Sequence, residues 1–153
     1  MKLAFVYDHH NASAEWNRRE FEEWLTGVFV VPGITLKPRC TTQIREHVSS
    51  AFSKEGWALD VKIDQLLNLT VFAMKGDLAF QLQTGNMSRA PYDLLKLQYL
   101  YQSEKINCAG MAVPTRDAAA AIGDNIANAE RLSNELKLFN RIITVPILLV
   151  AFY

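Results

Sequence analysis

The chain has only two cysteines, Cys40 and Cys108, far apart and without metal-ligand spacing. That excludes a disulfide-built scaffold or a zinc module and suits reduced packing thiols in a cytoplasmic protein. It has no excess of either charge: sixteen basic residues balance sixteen acidic ones. This argues against a polybasic tail or a long non-specific grip on nucleic acid, while leaving room for a local basic surface. No apolar run reaches the roughly eighteen residues of a membrane span. "ITVPILLVAFY" is too short and suits a buried last strand, and "MKLAFVYDHH" is broken too soon by Asp8, His9 and His10 to be a secretory signal. No membrane partner is expected. Three strong local signatures are also missing: the phosphate-loop Gly-Lys motif, G-x-G-x-x-G after a strand, and the G-x-S-x-G elbow.

What is present is the make-up of an ordinary folded domain. At 153 residues and half hydrophobic, the chain can bury a core without staples, and we expect a single domain over residues 1–153. Residues 2–7 predict a strand. Ser13 can cap a helix starting near Glu15 that carries Trp16, Phe21 and Trp24, and Pro32-Gly33 ends that pattern. Thr41 or Thr42 can cap a second helix to about Phe52, its buried stripe made by Ile44, Val48 and Phe52, with Glu46 off the stripe.

From Trp57 the period changes to two, Leu59, Val61 and Ile63 alternating with Asp60, Lys62 and Asp64. "LTVFAMKGDLAFQLQ" predicts a hairpin turning at Lys75-Gly76-Asp77. Pro91 can open a helix to about Glu104, "INCAGMAVP" a strand, and "TRDAAAAIG" a short helix. Asn125 to Leu138 predicts a further helix, and the run from Val145 a last strand. The order describes an α/β fold, a mixed sheet flanked by helices.

Polar residues on strands mark the candidate site. In "DLAFQLQTGNMSR", Asp77, Gln81 and Gln83 share one face while Leu78, Phe80 and Leu82 share the other. Asp60 and Asp64 leave one face of the preceding periodic strand, and Glu46 lies on the helix before it. Should those faces coincide, they gather oxygen ligands suited to Mg²⁺, able to activate water for phosphodiester attack. The competing reading is the solvated face of an antiparallel hairpin. Asp93 and Lys96, three apart on a helix, suit a surface ion pair. His9-His10 suits an exposed turn rather than a metal site, because adjacent extended residues point apart.

"GDLAFQLQTGNMSRAPYDLLKLQYLY" and, later, "GDNIANAERLSNELKLFNRIITVPILLV" resemble the BglII-type restriction endonucleases of the PD-(D/E)XK superfamily. The similarity runs from about Trp57 to the end and is poor over residues 1–40. The resemblance implies a restriction-endonuclease-like mixed sheet and a type II, Mg²⁺-dependent DNA endonuclease, with Mn²⁺ as substitute ion. Double-stranded DNA is the implied partner and a homodimer the implied assembly.

Residue by residue, it implies Asp64 as the metal-holding aspartate, with Asp60 as its rival. It puts Gln83 at the Lys or Gln position, and Arg89 and Lys96 on phosphate. Gln81 stands where the family has its catalytic glutamate, and an amide brings an oxygen but no charge. Asp77 or Glu46 can supply the missing charge, Asp77 from about 13 Å of strand away. Otherwise the chain is a non-catalytic DNA-binding relative, or the glutamine is an inactivating substitution.

Overall fold

The computed structural model describes all residues 1–153. In chain order they form β1 (Leu3–His9), α1 (Ala12–Arg18), α2 (Glu22–Val28), α3 (Thr41–Lys54), β2 (Ala58–Asp64), β3 (Leu69–Lys75) and β4 (Leu78–Leu82). A 3₁₀ turn, Met87–Arg89, leads into α4 (Ala90–Gln102), followed by β5 (Cys108–Pro114), α5 (Arg116–Ile122), α6 (Ala129–Leu138) and β6 (Ile147–Phe152). The strands make one mixed sheet in the order β1-β6-β5-β4-β3-β2. β4, β5 and β6 run parallel, while β1 and the β2-β3-β4 meander pair antiparallel.

The sequence periods explain the layers. β5 and β6 are buried at every position, as central parallel strands covered on both faces must be. One face carries Leu78, Phe80 and Leu82 of β4 with Trp16 of α1, Leu25 of α2 and Ile44, Val48 and Phe52 of α3. The other face packs Ala79, Ala109 and Leu149 under Leu94, Leu97 and Leu100 of α4 and Leu132 and Leu136 of α6. At Gly110 a larger residue would have to displace aromatic rings: a Cβ on it would lie 2.8 Å from Trp16 Cζ2 and 2.9 Å from Phe80 Cδ2. No helix is long and apolar enough to cross a membrane.

Three local expectations change. The first helix is two: the chain breaks at Glu20, whose φ is +62°, and Ser13 lies inside α1 with its hydroxyl donating to Glu22. The helix expected from Asn125 starts at Ala129, where the Asn128 side chain accepts the Arg131 N–H. His9 is not in an exposed turn. It is 3 % exposed, its Nε2 lying 2.7 Å from the Ile143 carbonyl oxygen, while His10 faces the Asn140 carbonyl. Cys40 and Cys108 are buried and free, and burial pushes the Cys108 thiol up to about 12, which keeps it inert.

Candidate functional site

The β3–β4 ladder runs from Lys75↔Leu78 at the turn to Ala73↔Phe80 and then stops. Gly76 takes the turn at φ +56°. Where the backbone rungs end, a side chain takes over: Gln81 Oε1 accepts the Phe72 N–H at 3.1 Å. That bond fixes the amide, since the flipped orientation would set two donors against each other. Gln81 Nε2 has no acceptor within the protein, and Gln81 lines a cleft of about 430 Å³.

Gln83, two residues on, is buried. Its Nε2 donates to Asp93 Oδ2 at 2.7 Å and its Oε1 accepts the Gly85 N–H at 2.7 Å. Asp93 Oδ1 meets Lys96 Nζ at 2.6 Å, the two side chains 8 % and 12 % exposed. Lys96 also donates to the Thr70 carbonyl at 2.9 Å. The expected helix-surface pair therefore forms, but as a buried pair on the cleft floor, tied to the sheet through Gln83 and Thr70. Arg89 stands exposed where the chain leaves the sheet, with no side-chain bond. Arg45 of α3 reaches the opposite wall over the Phe72 ring, 5.0 Å from its centroid, and bonds Asp60 at 2.8 Å.

Gln81, Gln83, Arg89 and Lys96 thus come together; Asp77 and Glu46 do not join them, and Asp64 lines only the adjoining groove, which shares Leu69, Tyr92 and Lys96 with the cleft. The strands beside β4 are β5 and β3, whose sequences CAGMAVP and LTVFAMK hold no acid. Asp64 lies on β2, one strand further out, past a register shift between Lys62 and Asp64. A shift of this kind undoes the alternation on which the shared face depended. Its Oδ1 accepts the Leu67 N–H at 2.7 Å, closing the β2–β3 turn. Asp60 sits at φ +47° on the edge, paired with Arg45. Glu46 is exposed on α3 outside the cleft.

Asp77 is at the other end of β4, paired with Arg19 and bonded by Asn107 Nδ2 at 2.7 Å. The Arg19 guanidinium, helped by Asn107, holds its carboxyl below the usual range against the opposing effect of burial. Nor is the polar face of β4 a solvated hairpin face, because α4 packs against it.

Arg45 is the residue that sequence reasoning missed. It neighbours the apolar stripe of α3, and nothing local signals that α3 docks against the end of β3. Tyr92 and the rim residues Asn68 and Thr70 share that history.

The donor set does not fit a divalent ion. Gln81 Oε1 is spent on Phe72, Gln83 is saturated at both ends, and the one carboxylate lining the cleft, Asp93, is neutralised by Lys96. No three His, Cys, Asp or Glu side chains gather anywhere as a metal-holding group. Mg²⁺ wants several anionic or free carbonyl oxygens around an octahedron. The cleft instead offers Arg45, Arg89, Lys96 and an outward amide N–H, which is the chemistry of oxyanion binding.

Comparison with known proteins agrees with the fold. The crystal structure of restriction endonuclease BglII complexed with a DNA 16-mer superposes with a TM-score of 0.80 at 14 % identity, covering 100 % of this chain and 78 % of that one. Free BglII gives 0.74 at 14 % identity, with 100 % and 80 % covered. No curated protein matches in sequence. The family profile described as "Restriction endonuclease BglII/BglIII" matches residues 4–152, including most of the first forty residues, where the motif resemblance is poor. The chain therefore belongs to the BglII/BglIII restriction endonuclease family, a family of DNA endonucleases.

Proposed function

We propose that this chain binds double-stranded DNA by gripping a backbone phosphate in the β3–β4 cleft, and that its power to cut DNA is severely impaired. The observation that carries this is the make-up of the cleft: three cationic side chains and one carboxylate, already paired. β3 brings no aspartate to face Gln81, so two carboxylates are missing, not only the one replaced by glutamine. The DNA in the BglII complex is consistent with this partner. Arg89, without any competing ion pair, is the strongest phosphate ligand, and Lys96 retains one of its three N–H donors for the same anion.

Mg²⁺-dependent cleavage is the second reading, favoured by Asp93. Its carboxylate stands beside Gln83 and becomes a free oxygen ligand once Lys96 leaves it for a phosphate. Plasmid nicking in Mg²⁺ and in Mn²⁺ separates the two. We expect the chain to bind duplex DNA with strong salt dependence and to leave supercoiled plasmid intact. Nicking that is abolished by Asp93→Asn would establish the second reading instead.

Two copies acting on one duplex follow from the two-fold symmetry of its strands. The outer face of α4 supports this assembly: Tyr92, Leu95 and Tyr99 are exposed in a row, and Leu95 continues into a groove of about 380 Å³ with Phe139 and Ile142. Leu95→Glu should then sediment as a monomer where the parent sediments as a dimer.

A further inference from the structure

We infer that the cleft holds the DNA phosphate without any divalent ion, with Gln81 Nε2 as a direct hydrogen-bond donor to a phosphate oxygen. This rests on the DNA-binding reading above and goes beyond it by giving Gln81 a positive task. The amide of Gln81 is set by Phe72: its oxygen accepts the Phe72 N–H, so the nitrogen is the end left for the cleft. An amide nitrogen donates two hydrogen bonds and accepts none. The group in the place of a catalytic carboxylate is therefore a donor, matched to the anion itself rather than to a cation bridging to it.

Charge points the same way. The charged residues lining the cleft are Arg45, Arg89 and Lys96 against Asp93, three positive charges less one negative, or +2, and the Asp60 partner of Arg45 outside the lining leaves the surround still positive at +1. A divalent cation entering this surround is repelled, whereas a phosphodiester monoanion is attracted. The remaining donors are the free Arg89 guanidinium, the Arg45 N–H groups not bonded to Asp60 and the third Lys96 proton. They provide the charge neutralisation that a metal supplies elsewhere.

The test is fluorescence anisotropy of a short fluorescein-labelled DNA duplex with the full chain at fixed ionic strength, in EDTA and in Mg²⁺. The parent, Gln81→Glu and Gln81→Leu are compared, each first shown by its thermal melt to be folded. The parent should bind as tightly in EDTA as in Mg²⁺. Gln81→Glu should bind at least about tenfold more weakly in EDTA, because it places an anion against the phosphate, and should recover on addition of Mg²⁺. Gln81→Leu, which loses the donor without adding charge, should fall between them and ignore Mg²⁺.

Parent binding that disappears in EDTA, or a Gln81→Glu variant that matches the parent in EDTA, overturns this inference and leaves the DNA-binding reading intact. An absence of parent binding in both buffers overturns both.

Discussion

The network under the cleft floor makes a quantitative claim about stability. Asp93 is held by two donors, Lys96 Nζ at 2.6 Å and Gln83 Nε2 at 2.7 Å, with little solvent to replace either. Asp93→Ala leaves an ammonium at 12 % exposure with only the Thr70 carbonyl and strips the Gln83 amide of its acceptor. Removing one partner of a buried pair costs about 3–5 kcal/mol, and the orphaned amide belongs to the same loss rather than adding to it. Against a total of about 5–15 kcal/mol that is a large fraction. At roughly 2–4 °C per kcal/mol for a chain this long, Tm should drop by about 6–20 °C.

Removing both charges should be milder. In Asp93→Ala/Lys96→Met no ion is left stranded, so urea unfolding in a double-mutant cycle should give a coupling of at least about 2 kcal/mol. The folded fraction of Asp93→Ala should also bind duplex DNA more tightly, since Lys96 is released toward the phosphate. An Asp93→Ala variant within about 1 kcal/mol of the parent, or single effects that simply add, would show the pair to be as inert as an exposed one and the network argument wrong.

Other outcomes follow from the same structure. Arg89→Ala should weaken duplex binding about equally for all sequences and reduce the slope of log affinity against log salt by about 1, measured by anisotropy across a salt series; an effect confined to one sequence would assign Arg89 to base reading. Gly110→Ala should cost about 1–3 kcal/mol in urea unfolding, because the new methyl overlaps Trp16 and Phe80. His9 should make stability pH-dependent. Burial lowers its pKa, with the Ile143 carbonyl opposing and neighbouring His10 adding to the lowering, so as pH falls below about 6.5 the unfolded chain takes the proton first. The folding free energy should decline from there down to the folded pKa, by at most about 1.4 kcal/mol per pH unit, and His9→Gln should flatten the slope; a parent curve flat between about pH 7 and 5 would contradict it.

Much of the architecture was legible because its signals are local. The Ile44, Val48, Phe52 stripe, the Gly76 turn and the alternation of β4 each depend on neighbours within a few residues, and each element forms where its pattern lies. The polar face of β4 was legible for the same reason, whereas Arg89 and Lys96 were singled out by the family resemblance and not by a local signal. The placement of Asp64 was not legible. Its face depended on unbroken alternation along β2, and the irregularity at the end of that strand removed it. Even an unbroken β2 would have left β3 between Asp64 and Gln81. Arg45 required knowing how α3 docks, which is a property of the whole core. The burial of His9 and of the Asp93–Lys96 pair likewise depends on distant segments, the Ile143 loop in one case and β3 with Gln83 in the other.

These placements give the glutamine its meaning. A glutamate at position 81 could accept the Phe72 N–H with one oxygen just as Gln81 does, so the stitch between the parting strands does not require the amide. The two residues differ in what is left facing the cleft: an anionic oxygen, or a neutral nitrogen carrying two protons. With glutamate the lining charge falls from +2 to +1, and a second carboxylate joins Asp93 as a potential metal ligand. With glutamine, and with β3 lacking any acid, the same fold presents Asp93, already paired with Lys96, as the sole carboxylate among donors. One atom on β4 thus shifts the balance of the cleft between cation and anion, and in the reading proposed above the amide tilts it toward the phosphate.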